Sequence, residues 1–106
     1  EDIDLNVHLI KNVPATFIIR VQGKSMTNIG INDGDLLVVD KSLNPKNFST
    51  VIANVHDELV VKSFVKHEGK KFLTSGSKEF EDRILINEEE DVFIWGVVTY
   101  VIHSTY

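Results

Sequence analysis

The 106 residues carry 16 acidic and 11 basic side chains, a formal charge of −5, and the basic residues are scattered. No basic stripe can displace counterions from phosphates, so direct sequence-specific nucleic-acid binding is not expected. The absence of cysteine excludes disulfide and thiolate chemistry and fits a reducing cytosol. No apolar run approaches the roughly 20 residues that span a bilayer, so no membrane association is expected.

In chain order, residues 1–14 read as an N-terminal arm and 15–106 as one domain. Within the arm, Ile3, Leu5, Val7 and Leu9 alternate with polar residues, which favours an extended segment. A helical turn capped by Asp4 is the competing reading, and Pro14 ends the segment either way. Beyond Pro14 the signals are β. Thr16–Gln22 is rich in β-branched residues and stops at Gly23. Leu36–Asp40 follows the turn Asp33-Gly34-Asp35. Thr50–Val55 and Glu58–Lys66 form a hairpin about His56-Asp57. Glu68-Gly69-Lys70-Lys71 is the next turn, Phe72–Thr74 a short strand, Ser75–Arg83 a polar loop and Ile84–Ile86 a small strand. Val92–Ile102 is a long strand with no polar face. Strict alternation puts Phe93, Trp95, Val97, Thr99 and Val101 on one side. Such a strand is central to the core, or covers one face or end with a second copy of the chain. Closely spaced short strands predict a mostly β, rolled or barrel-like sheet.

Two side chains stand out chemically. Ser25 lies in the turn Gly23-Lys24-Ser25-Met26, directly after an apolar run. Lys62 lies within Leu59-Val60-Val61-Lys62-Ser63-Phe64-Val65, where a strand places it on one face with Val60 and Phe64. A serine hydroxyl is a weak nucleophile and needs a base. Lysine can serve only when an apolar setting keeps it uncharged. The four histidines, His8, His56, His67 and His103, pair with Ser25 by no sequence signal and show no metal-ligand spacing. The run Glu88-Glu89-Glu90-Asp91 reads as a solvated loop. Asn32-Asp33-Gly34-Asp35 lacks the twelve-residue calcium pattern. No cofactor or metal is expected.

Three blocks, Gly23-Lys24-Ser25-Met26, Gly30 to Asp40 with its Gly34-Asp35 and Val38-Val39-Asp40, and Glu58 to Lys62, resemble in order and spacing the peptidase domain of the LexA/UmuD serine-lysine family. Ile3-Asp4-Leu5-Asn6 and Gly96-Val97-Val98 resemble its UmuD branch. The resemblance implies a LexA/signal-peptidase type of β domain with Ser25 as nucleophile and Lys62 as general base. Backbone N–H groups of Ser25 and Lys24 would form the oxyanion hole. Met26, Ile29, Gly30, Asp33, Gly34 and Asp35 would shape the site without chemistry of their own. It further implies a bacterial cytoplasmic protein of the SOS response to DNA damage that cuts its own N-terminal arm when stimulated by a RecA filament. The processed form would dimerise and join a Y-family, UmuC-like polymerase subunit for translesion synthesis. The cut in this family falls at a small-residue–Gly bond. Here the six glycines follow Gln22, Ile29, Asp33, Glu68, Ser75 and Trp95, so the chain reads as the processed form. The alternative is the C-terminal self-cleavage and dimerisation domain of a LexA-like or phage-type repressor. A type I signal peptidase shares the dyad but requires a membrane anchor. The chain departs from the family at Ser49-Thr50, where Gly-Asp is common, and at Ser75-Gly76-Ser77, where Pro-x-Asn is common.

Overall fold

A computed structural model describes residues 4–10, 13–23, 30–76 and 82–105. Two tight turns organise the middle of the chain. His56 (φ 50°) and Asp57 (φ 70°) join β3 (Thr50–Val55) to β4 (Glu58–His67). Glu68 (φ 50°) and Gly69 (φ 77°) join β4 to β5 (Lys70–Thr74). Two central residues at positive φ make a turn whose twist matches that of the flanking strands. Each turn also fixes a register: Val55 faces Glu58 in the first hairpin and His67 faces Lys70 in the second.

Among the described residues, these strands join β1 (Thr16–Arg20), β2 (Leu36–Asp40), β6 (Ile84–Leu85) and β7 (Val92–Ile102) in one sheet. Its order is β1-β2-β7-β3-β4-β5-β6. Every pairing is antiparallel. The fold is mostly β, as expected. A short turn of 3-10 helix at Glu88–Glu90, capped by Asn87, leads into β7.

β7 is an interior strand between β2 and β3, and strict alternation fails along it. Against β3 the register slips between Ile52 and Ala53, which leaves Trp95 as an extra residue between Ile94 and Gly96. Against β2 it slips between Val38 and Val39, which leaves Thr99 extra between Val98 and Tyr100. Each bulge shifts the side chains beyond it to the other face. Trp95 therefore packs with Val98 against a cluster of Val21, Ile31, Leu37, Val39, Ile52 and Val61. Val92, Ile94 and Val97 pack together in a second cluster with Val51, Ala53, Phe64 and Leu73. Full burial of side chains such as Phe64 and Leu73 contributes about 1.5–3 kcal/mol apiece.

The arm differs from its extended reading. Leu5–Leu9 is one turn of helix, α1, with the Asp4 carboxylate accepting from Asn6 N at 3.0 Å and Val7 N at 3.4 Å. Among the described residues no strand pairs with this segment: Leu5 and Val7 are exposed, and Leu9 is half-buried in a groove it lines with Thr16, Thr99 and Tyr100. Without a sheet to pair with, the local cap decides the conformation.

Candidate active site

Ser25, Lys24, Met26 and Ile29 lie outside the described residues, and so does the oxyanion hole expected at Ser25 and Lys24. Both stems of their loop are described, and they are held closely together. Val21 N donates to Asp35 O at 2.8 Å, and Gly34 N donates to Val21 O at 2.9 Å. Gly23 N donates to the Asp33 carboxylate at 2.8 Å, and Asn32 N to that of Asp35 at 2.9 Å. Arg20 Nη1 donates to Gly34 O at 3.1 Å. Asp33, Gly34 and Asp35, expected to shape the site, thus form the clasp beneath the loop. Asp35 is buried, yet its second oxygen faces His103 Nδ1 at 2.7 Å. A carboxylate only accepts, so the imidazole N–H is the donor. The Asn32 N–H first, and then His103, hold the Asp35 carboxyl below the usual carboxylate range against the opposing effect of desolvation.

The stems also have an apolar anchor. Val21 and Ile31, on either side of the loop, pack in one cluster with Val61 of β4. An open groove of about 460 Å³ runs between Val21 and Gln22 on one wall and Leu59, Val60 and Val61 on the other, with Leu37 and Ile52 at its floor. The residue after Val61 is Lys62.

Lys62 sits in the β4 register between Val51 of β3 and the end of β5. It is half-buried, and Val51 and Phe64 beside it are buried. Its Nζ donates to Ser75 Oγ at 3.2 Å. Ser75 N in turn donates to the Asp82 carboxylate at 3.1 Å. The Asp82 carboxyl is held below its ordinary range, most strongly by the Ser75 hydroxyl, with the Ser75 N–H and the Lys62 charge acting in the same direction against desolvation. The polar loop after β5, to which the sequence assigned no role, therefore supplies the first partner of Lys62. The hairpin register contained the signal: a turn pairing His67 with Lys70 and Ser63 with Thr74 puts residue 75 opposite residue 62.

The histidines do not converge. His56 lies in a turn, His67 beside Glu68, His103 on Asp35, and His8 near the Tyr100 ring. Among the described residues no group of three or more histidines or carboxylates is arranged to hold a metal ion, and no helix is long and apolar enough to cross a membrane.

Residues 1–99 match the model of the Peptidase S24-like family. The chain is 39% identical over 105 residues to Protein ImpA of Salmonella typhimurium, covering 99% of this chain and 70% of that protein. It is 36% identical over 100 residues to Protein MucA of Escherichia coli, covering 94% of this chain and 68% of that one. The LexA repressor of Providencia rettgeri is 37% identical over 91 residues, 86% of this chain and 44% of the repressor. A family match over nearly the whole length, carried on a mostly antiparallel β fold, means that the chain belongs to the LexA/UmuD family of S24-like serine peptidases.

Proposed function

We propose that the chain is the domain of a self-cleaving serine peptidase in which Ser25 is the nucleophile and Lys62 the general base. The observation that supports this reading is the shared packing of Val21, Ile31 and Val61, which seats both stems of the Ser25 loop on one face of β4, while Lys62 projects from the other face of the same strand with Val60 and Phe64. In the reaction, the unprotonated Lys62 amine takes the Ser25 proton while Ser25 Oγ bonds to the scissile carbonyl carbon. Backbone N–H groups at Lys24 and Ser25 stabilise the charge that develops on the carbonyl oxygen. Lys62 then gives its proton to the departing amine as the C–N bond breaks. Water hydrolyses the acyl-enzyme and frees Ser25.

On the same reading residues 1–14 are an N-terminal arm, and 15–106 are the peptidase domain. The UmuD-branch resemblance extends the proposal to the SOS response. A RecA filament stimulates the cut, and the processed chain, as a homodimer, serves a Y-family, UmuC-like polymerase in translesion synthesis within the bacterial cytoplasm. Dimerisation has a surface to use. The β3 ladder ends at Val97, so the outer end of β7 pairs with β2 alone, and Tyr100, Val101 and Ile102 there are 37–41% exposed. The similarity to LexA repressor favours a second reading, the C-terminal domain of a repressor, which a DNA-binding region upstream would identify.

The test is self-cleavage by this chain extended at its N-terminus with the upstream arm of the ImpA relative. Cleavage is expected to rise with pH, because the base must be a free amine, and to be stimulated by RecA on single-stranded DNA. Ser25→Ala and Lys62→Ala each abolish it. Undiminished cleavage in either variant refutes the dyad.

A further inference from the structure

The proposed base has a neighbour that decides what its lone pair can do. A neutral lysine amine offers two N–H donors and one lone pair, and only the lone pair can take a proton from a serine. The Ser75 hydroxyl, 3.2 Å from Lys62 Nζ, could bond it in either sense. As an acceptor it would hold one amine N–H and leave the lone pair free. As a donor it would occupy the lone pair and disable the base. The ionised Asp82 carboxylate, which only accepts and already takes the Ser75 N–H at 3.1 Å, is the group placed to draw the Ser75 O–H toward itself.

The surroundings fix this geometry. Ser75 N donates to Asp82 at 3.1 Å, which holds the carboxylate beside the hydroxyl. Thr74, one residue earlier, is buried in register with Ser63, and its hydroxyl accepts from Gly76 N at 3.4 Å. Ser75 is therefore pinned on both sides. The low-lying carboxyl of Asp82, with the Ser75 hydroxyl as its leading cause, is consistent with that direction of donation.

We infer that Ser75, oriented by Asp82, is a positioning residue for Lys62, accepting one amine N–H so that the lone pair stays available for the Ser25 proton. The inference rests on the Ser25–Lys62 reading and adds to it two residues from a loop with no chemistry assigned.

A small fluorophosphonate probe tests it on the chain as it stands, with labelling of Ser25 followed by intact mass and peptide mapping. The parent is labelled at Ser25, and Ser25→Ala and Lys62→Ala are not. Ser75→Ala slows labelling roughly tenfold, the scale of one hydrogen bond. Ser75→Thr, which restores the hydroxyl, returns the rate to within about twofold of the parent. Asp82→Asn, whose amide can donate to Ser75 and reverse its hydroxyl, slows labelling like Ser75→Ala. Thermal melts confirm that each variant is folded, and if Ser75→Ala is not, Asp82→Asn on the exposed side of the loop carries the test. Labelling of Ser75→Ala or Asp82→Asn at the parent rate, or of Ser75→Thr as slowly as Ser75→Ala, overturns the positioning role and leaves the dyad standing. A parent chain unlabelled at Ser25 overturns the dyad, and the positioning role with it.

Discussion

Gly96 is the tightest point in the sheet. It sits in β7 opposite Ile52, and a Cβ built on it would lie 2.6 Å from Val39 Cγ1. The optimum carbon–carbon separation is about 3.5–4.0 Å, so Gly96→Ala forces a movement of roughly 1 Å at a buried position of the strand. Overpacking of this kind costs about 1–3 kcal/mol. The better strand propensity of alanine returns about 0.5–1 kcal/mol, for a net loss of roughly 1–2 kcal/mol. Val39→Ala alone removes two methyl groups from a fully buried side chain. That loses about 1.6 kcal/mol of transfer energy, plus a cavity contribution. In the double variant the new methyl enters the space vacated by Val39, and the clash disappears. The two losses then fail to add by about 1–3 kcal/mol. Urea denaturation at constant slope measures all three variants, with a net loss near 1.5 kcal/mol lowering the midpoint by about 1 M or somewhat less. A Gly96→Ala variant with the parent's midpoint, or a double variant additive to within about 0.5 kcal/mol, refutes the argument.

Two further outcomes follow from the clasp and from the outer end of β7. Asp35 has its folded-state pKa lowered, so its stabilisation is fully present above the ordinary value of about 3.9 and is lost as pH falls through the lower folded value. The stability gap between the parent and Asp35→Asn should therefore be constant near pH 5 and close at more acidic pH. A gap unchanged down to pH 2.5 would contradict this. Val101→Glu places a charge within the exposed apolar end of β7 and should convert a dimer to monomer by light scattering without lowering the thermal midpoint. A variant as dimeric as the parent would move the interface elsewhere.

The sequence reading located β2, β3 and β7 well, because β-branched runs bounded by turn residues have few other conformations open to them. It misjudged the arm because alternation at Leu5, Val7 and Leu9 specifies a strand only where another strand is available to pair. The two bulges at Trp95 and Thr99 were not legible, since a run with no polar face carries no signal of where its pattern shifts. At the site, Lys62 could be placed on its face from β4 alone. Its contact with Ser75 depends on a register set at Glu68-Gly69, which requires the turn to be read as geometry and not only as a break.

The sheet order has a consequence for how this domain can be tuned. The stems of the Ser25 loop belong to the β1–β2 side, Lys62 to the β3–β4–β5 side, and β7 is the seam that joins the two. An irregularity toward each side gives that seam its own local bend. The spacing between proposed nucleophile and base is then inherited from a strand that contains neither. A grip on the free outer end of β7, by a second subunit or by an engineered clamp, could retune the peptidase from a distance while every reacting group stays as it was.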